Sequence, residues 1–130
     1  YMIKIDYSAT QKNAFEHLKM LTKYLSTGCY SIHKVPIAEI EETTNLKNLL
    51  KINTSTKYDQ EIVHDLEIMS RLEIEEKRIL YCVHLLGIKL RNLRSDSNQY
   101  EYCFGNSYKN YDKAVLSFGM TQEKFIVYLA

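Results

Sequence analysis

The chain has 130 residues, of which 45% are hydrophobic and 25% charged, a composition typical of a globular protein and unlike that of a disordered one. One proline and four glycines are too few for the many turns of an all-β chain, and no apolar run approaches the ~20 residues of a membrane span. We therefore predict a mainly α protein that forms one compact domain over residues 1–130, without a membrane segment and located in the cytoplasm.

The net charge of +1 hides an uneven distribution along the chain. Residues 1–36 carry five lysines against two acids, residues 37–76 carry ten acids against four basic residues, and residues 77–130 carry eight basic residues against four acids. An acidic middle between basic ends is typical either of a charged partner surface or of solvated helix faces that partly neutralise each other. The three cysteines, an odd and sparse count, predict reduced thiols rather than a disulfide framework.

The first third of the chain predicts an extended arm followed by two helical regions. Apolar residues alternate over 2–7, as in a short strand. Ser8 as N-cap begins a capping-box pattern, and an apolar stripe then predicts a helix over 8–25. The stripe consists of Ala14, Phe15, Leu18, Leu21 and Leu25. Pro36 suits the first turn of a second helix that reaches residue 50, and Thr43 and Thr44 weaken its middle, so that two short helices are the alternative.

The segment Ile74–Leu93 gives the strongest helical signal, after a loop at 51–58 and a third helix at Asp59–Arg71. Its main apolar stripe steps by four and three residues through Ile79, Val83, Leu86, Leu90 and Leu93. Further apolar residues fall on the other sides, which predicts a helix that is buried nearly all round and lies at the centre of the fold. A glycine in its middle, Gly87, indicates the close approach of another element.

The C-terminal part predicts one helix and one ambiguous segment. Tyr100, Tyr102 and Phe104 alternate with other residues, as in a short strand or a minor β-hairpin. Residues 108–118 predict a helix that ends at Gly119. A final helix over 122–129 and a terminal strand are both compatible with the last residues, which are β-branched and aromatic. The total is five or six helices.

The two predicted C-terminal helices resemble a helix-turn-helix over residues 108–129. The required small and apolar positions are occupied, in order, by Val115, Gly119, Met120, Thr121 and Phe125. In this hypothesis the second helix enters the major groove of DNA. The base-facing residues are then Thr121, Gln122 and Lys124, and the phosphate contacts are Lys109 and Lys113. A plain helical hairpin is the alternative.

Four tyrosines, Tyr100, Tyr102, Tyr108 and Tyr111, lie close in sequence to several basic residues. Tyrosines in such a setting finish a core, form a protein interface or stack on nucleobases. We interpret these four as the interface residues of a protein-binding alternative.

The sequence contains no signature of a catalytic, cofactor or metal site. The pairs Cys29/His33 and Cys82/His84 lack the spacing of structural zinc ligands. The spacing of Arg78 and His84 resembles the arginine–histidine pair of HEPN-type ribonucleases. On a continuous helix these two residues lie about 240° apart, so we do not expect them to share a site.

We therefore predict a non-enzymatic regulatory protein that needs no cofactor. More specifically, we predict that this regulatory protein is a DNA-binding transcription regulator of a bacterium or phage. The alternative is a small adaptor or inhibitor that binds another protein through residues 37–76 or 100–111, and a homodimer is compatible with both. Affinity for duplex DNA at low salt separates the two hypotheses.

Overall fold

The structure is a computed structural model that describes residues 3–94, 100 and 102–129. Its described helices are α1 (Tyr7–Leu25), α2 (Asp59–Ser70), α3 (Ile74–Leu80) and α4 (Ser107–Met120). Two strands, β1 (Tyr30–Ile32) and β2 (Leu50–Ile52), pair in antiparallel register. The mainly α prediction is confirmed, although the described residues contain four α-helices rather than five or six. None of these helices has the length and apolar character needed to cross a membrane.

Side-chain caps fix the starts of the two helices that matter most for the site. Asp6 caps α1 by accepting a hydrogen bond from the Ala9 amide at 3.0 Å, so the cap is Asp6 and not the predicted Ser8. Asn106 caps α4 by accepting from the Lys109 amide at 3.1 Å. Each cap satisfies one of the amides that the first helical turn leaves without a partner.

The predicted long helix at Ile74–Leu93 is shorter and less regular than expected. After α3 the chain makes a π-helical turn at Tyr81–Leu85, and it leaves the helix at Gly87, which has a φ of 70°. A short 3-10 turn at Leu90–Leu93 follows. Burial on nearly all sides holds for residues 76–85, where only Arg78 and Val83 are partly exposed. Of residues 86–93 only Leu93 is buried, so the predicted central helix is not found along the whole segment.

The second predicted helix, over residues 36–50, is wrong. Two 3-10 turns, Ile37–Glu39 and Leu46–Leu49, stand in its place. Side chains of α3 bind the intervening backbone: Arg78 Nε donates to the Ile40 carbonyl at 2.8 Å, and Lys77 Nζ donates to the Glu41 carbonyl at 2.7 Å. These carbonyls are therefore satisfied without a helical turn.

The helix that we predicted over residues 122–129 is also wrong. The segment has one 3-10 turn, Glu123–Phe125, and then becomes extended. Its end pairs with the start of the chain: the Asp6 amide donates to the Val127 carbonyl at 2.8 Å, and the Leu129 amide donates to the Lys4 carbonyl at 2.8 Å. The segment is therefore extended, as in the strand alternative, but in the described part of the chain it makes only an isolated antiparallel bridge, between Ile5 and Tyr128. Within the described residues, α4 has no following helix to complete a helix-turn-helix.

The hydrophobic core is one cluster to which all four helices contribute. Its fully buried members include Leu18 of α1, Leu66 of α2, Ile79 of α3 and Phe118 of α4. Because α4 packs against both α1 and α3, helices from the first and last thirds of the chain are in direct contact.

Candidate functional site

A groove of about 350 Å³ lies between α1 and α4. We call it the α1–α4 groove, and it is lined by Ser8, Gln11, Lys12 and Phe15 from α1 and by Tyr111, Asp112 and Val115 from α4. The α1 residues recur every three to four positions and so share one side of that helix. No residue of the acidic middle segment lines the groove.

Close packing and one hydrogen bond hold the two walls of the groove together. A Cβ added at Gly119 would lie 2.9 Å from the Cβ of Ala14, so the backbone of α4 approaches α1 more closely than any larger residue permits. At the other end, Gln11 Nε2 donates to the Asp112 carbonyl at 3.1 Å. The groove is therefore a feature of two packed helices and not of a loop.

Phe15 is the most exposed apolar side chain of the groove, at 37%. Its ring meets the Tyr111 ring edge to face, with a centroid distance of 6.4 Å and an interplanar angle of 87°. The Lys19 ammonium lies 5.0 Å from the Phe15 centroid, within the range of a cation–π contact. The Phe15 ring is thus held by contacts with Tyr111 and Lys19, and the rest of its surface is exposed to solvent.

Below Phe15, Tyr111 is connected to the core by a chain of hydrogen bonds. Its hydroxyl lies 2.8 Å from His84 Nε2, and His84 Nδ1 lies 2.7 Å from Thr22 Oγ1. The Thr22 hydroxyl donates its only proton to the Leu18 carbonyl at 3.1 Å. We therefore assign the proton of His84 to Nδ1, which donates to Thr22, while Nε2 accepts from Tyr111.

Burial keeps both ring systems of this chain uncharged. Desolvation lowers the pKa of His84 to about 4 and raises the pKa of Tyr111 above its ordinary value. Neither group changes its protonation near neutral pH, so the pair positions the Tyr111 ring rather than transferring protons. The π-helical turn that carries His84 is a type of distortion often found at functional sites.

One lysine of α1, Lys12, lines the groove, and two more follow it along the same side of the helix. Lys12, Lys19 and Lys23 are exposed and fall within about 40° of one another around the helix. The acids beside them are Asp112 and Glu16, and the Glu16 carboxylate lies 3.3 Å from Lys19 Nζ in an exposed pair. Because exposed pairs of this kind contribute little and exchange readily, Lys19 can still meet another carboxylate.

The four predicted interface tyrosines do not form one surface. Tyr111 is 6% exposed and lies in the floor of the groove, whereas Tyr108, one turn earlier in α4, is 49% exposed. Tyr102 lies elsewhere, where its hydroxyl accepts from Arg78 Nη1 at 2.9 Å. Tyr100 packs partly buried against the core. Of these four, Tyr111 lines the α1–α4 groove, whereas Tyr108 borders a separate depression with Arg94, Gly105 and Asn106.

The five residues predicted to contact DNA differ in how they are placed. Lys109 and Lys113 are exposed on α4, and Lys113 Nζ lies 3.9 Å from a Glu73 carboxylate oxygen.

At the end of α4, the Thr121 hydroxyl donates to the Phe118 carbonyl at 2.6 Å, and the Lys124 ammonium lies 5.1 Å from the Phe125 ring centroid. The Gln122 side-chain nitrogen is buried, with no hydrogen-bond partner among the described residues. It is therefore turned away from the surface that a base would reach.

Phe15 was not among the predicted site residues, because the apolar pattern of α1 placed it in the buried stripe of that helix. The buried residues of that helix are Thr10, Ala14, Leu18 and Leu21. Phe15 follows Ala14 by one position and so lies about 100° away around the helix. This offset from the buried positions is the sequence signal that could have placed Phe15 at the surface. The contact of Phe15 with Tyr111 joins residues 96 positions apart, which no local pattern reveals.

Other kinds of site find no support in the described part of the chain. Arg78 binds the Ile40 carbonyl and His84 binds Tyr111, so this pair does not share a site. Among residues 3–94, 100 and 102–129, no group of three or more His, Cys, Asp or Glu side chains is placed to hold a metal ion. Comparison with protein-family models, with curated proteins and with solved structures found no match to this chain.

Proposed function

We propose that the protein is a non-enzymatic adaptor or inhibitor that binds another protein through the α1–α4 groove. The observation that carries this proposal is the open ring of Phe15, fixed between Tyr111 and the Lys19 ammonium. Aromatic rings held in a defined position at the surface are the usual anchors of protein interfaces, because they bury a large apolar area at little cost in entropy.

The chemistry of the groove favours an acidic partner segment with one large apolar side chain. The apolar side chain packs on Phe15 in the groove, and carboxylates on either side of it meet Lys12 and Lys19. The hydrogen-bonded pair beneath, His84 and Tyr111, is neutral near pH 7 and supplies neither a nucleophile nor a general base. This supports binding rather than catalysis.

Two labelled peptides test the proposal, one with a central phenylalanine between glutamates and one with the same residue between lysines. Fluorescence anisotropy measures their affinity for the intact protein. We expect the acidic peptide to bind at least about tenfold more tightly, a difference of about 1.4 kcal/mol. Phe15→Ala lowers the affinity for the acidic peptide, and Lys12→Glu/Lys19→Glu removes its advantage.

The matched control is Lys34→Glu/Lys89→Glu, which makes the same change of charge at two exposed lysines outside the groove. This variant retains the preference for the acidic peptide. Equal affinity for the two peptides, or full binding by Phe15→Ala, contradicts the proposal.

Duplex DNA is the second candidate ligand, and the exposure of Lys109 and Lys113 on successive turns of α4 favours it. Phosphate contacts of this kind give affinity that falls steeply with salt. A labelled duplex of random sequence at about 0.05 M salt should then bind, and Lys109→Glu/Lys113→Glu should weaken that binding about tenfold. Absence of binding at low salt removes this candidate and leaves the groove proposal unaffected.

A further inference from the structure

We infer that the partner of the α1–α4 groove is a second copy of this chain, which presents the outer face of its α2 helix. The inference rests on the proposed function and names its partner. On α1 the relevant residues are Lys12, Phe15 and Lys19, which we call the α1 stripe. On α2 they are Asp59, Val63 and Glu67, which we call the α2 stripe.

The α2 stripe borders an apolar depression of about 350 Å³ on the acidic segment. Its lining is formed by Ile52, Asp59, Gln60, Val63, His64 and Glu67. Ile52 is 40% exposed, and it is one of the few large apolar side chains that the described residues leave at the surface outside the chain ends. The depression can therefore accept an apolar side chain, and a carboxylate lies on either side of it.

The charges of the two stripes are opposite in sign and similar in spacing. Lys12 and Lys19 are seven residues apart on α1, a rise of about 10.5 Å, with Phe15 between them. Asp59 and Glu67 are eight residues apart on α2, a rise of about 12 Å, with Val63 between them. With the helices side by side, each lysine meets a carboxylate while Phe15 enters the depression beside Val63.

Both carboxylates of the α2 stripe are ionised and have hydrogen-bonding capacity left. The Tyr30 hydroxyl and the Thr56 groups hold the pKa of Asp59 below its usual value, and Lys47, at 2.8 Å, does the same for Glu67. A carboxylate oxygen accepts about two hydrogen bonds. Asp59 Oδ1 already accepts from the Tyr30 hydroxyl and from the Thr56 amide and hydroxyl, so the approaching lysine meets Oδ2, which shares the Thr56 amide at 3.2 Å. A second lysine at Glu67 extends an existing pair into a network, without burying an unpaired charge.

Because the two stripes lie on different surfaces, each copy retains one free stripe after pairing. Such a head-to-tail contact adds further copies, and it ends only where the rotation closes a ring. The assembly therefore grows with protein concentration and weakens with salt, since its charges are exposed and screened.

Sedimentation velocity of the whole chain tests the inference. At about 0.05 M salt the average mass should rise with concentration, and at about 0.5 M salt it should fall towards the monomer. Lys12→Glu/Lys19→Glu and Val63→Lys each place like charges opposite each other in one stripe contact, so each variant alone remains a monomer. The control Lys34→Glu/Lys89→Glu associates like the wild type, and circular dichroism verifies that every variant is folded.

Mixing the two broken variants gives the decisive result. Only one intact contact is possible, between the α1 stripe of Val63→Lys and the α2 stripe of Lys12→Glu/Lys19→Glu. The mixture should therefore form a one-to-one dimer that does not grow further. Association of Val63→Lys with itself, or no dimer in the mixture, overturns the inference. If the wild type stays monomeric while the acidic peptide still binds, the second copy is excluded and the proposed function stands.

Discussion

Gly119 of α4 lies directly against Ala14 of α1, and this contact sets the distance between the walls of the groove. A Cβ at Gly119 would lie 2.9 Å from the Ala14 Cβ and 3.3 Å from the Thr10 carbonyl oxygen. The second neighbour is backbone in the middle of a helix and cannot turn aside. The two helices must therefore separate to accept even one methyl group.

We expect Gly119→Ala to destabilise the fold by about 1 kcal/mol. Overpacking a core contact costs about 1 to 3 kcal/mol of stability. The better helix propensity of alanine offsets about 1 kcal/mol of that cost. Urea unfolding measures the difference. Gly28→Ala is the control, because no atom of the described part of the chain beyond its chain neighbours lies within 4 Å of a Cβ at Gly28, and its effect should stay within about 0.5 kcal/mol. Equal effects of the two substitutions contradict the packing argument.

The sequence predicted a close approach at a glycine but assigned it to Gly87. None of the described residues beyond its chain neighbours lies within 4 Å of a Cβ at Gly87, and its φ of 70° is a conformation that favours glycine where the helical segment ends. Gly119, which we took as a helix stop, makes the close contact instead. Both roles suit glycine, and only the arrangement of the helices decides between them.

Helical periodicity predicted α1, α2 and α4 well, because each buries one stripe. It failed where tertiary hydrogen bonds decide the local structure. The carbonyls of Ala38 and Ile40 bind Arg78, a partner some 40 positions away that no local pattern indicates. The candidate site escaped prediction for the same reason, since its walls come from the two ends of the chain.

Arg78 provides a second prediction, because its guanidinium reaches several acceptors at once. Nε donates to the Ile40 carbonyl at 2.8 Å, Nη2 to the Ala38 carbonyl at 3.3 Å and Nη1 to the Tyr102 hydroxyl at 2.9 Å. The ammonium group of a lysine cannot donate to all three of these acceptors at once. Arg78→Lys should therefore cost about 1.5 to 3 kcal/mol in urea unfolding.

Hydrogen exchange locates the effect of Arg78→Lys. The amide of Ile40, which donates to the Ile37 carbonyl in the first 3-10 turn, should lose protection more than amides of α1. Tyr102→Phe is the control, because it removes only one of the acceptors and should cost less than half as much. Unchanged protection at Ile40 shows that Arg78 does not hold this segment.

Cys82 should be inert towards thiol reagents in the folded protein. The residue is fully buried, and burial raises the pKa of its thiol to about 12, so the reactive thiolate is scarce at pH 8. In the variant Cys29→Ser/Cys103→Ser, labelling of Cys82 should be about a thousandfold slower than in urea, because it requires an opening of about 4 kcal/mol. Rapid labelling of the native variant contradicts the placement of Cys82 in the core.

His84 couples the stability of the fold to pH, and the direction follows from the sign of its shift. Its folded pKa is about 4, against about 6.5 in an unfolded chain. Between these values the unfolded state binds more protons, so stability rises with pH. The contribution is complete above pH ~6.5 and is lost as the pH falls through 6.5 towards 4.

We therefore expect the wild type to lose about 2 kcal/mol of its free energy of unfolding to the titration of His84 when the pH falls from 7 to 5. Urea unfolding of His84→Gln, which keeps a donor and an acceptor but cannot ionise, isolates this part, because other titrating groups contribute equally to both proteins. The variant should lose about 2 kcal/mol less than the wild type over the same range. Tyr111→Phe removes the hydroxyl that bonds to Nε2 and keeps the ring, so it destabilises at pH 7 by about 1 kcal/mol. Parallel pH profiles for the wild type and His84→Gln would show that His84 is not held neutral by burial beneath Tyr111.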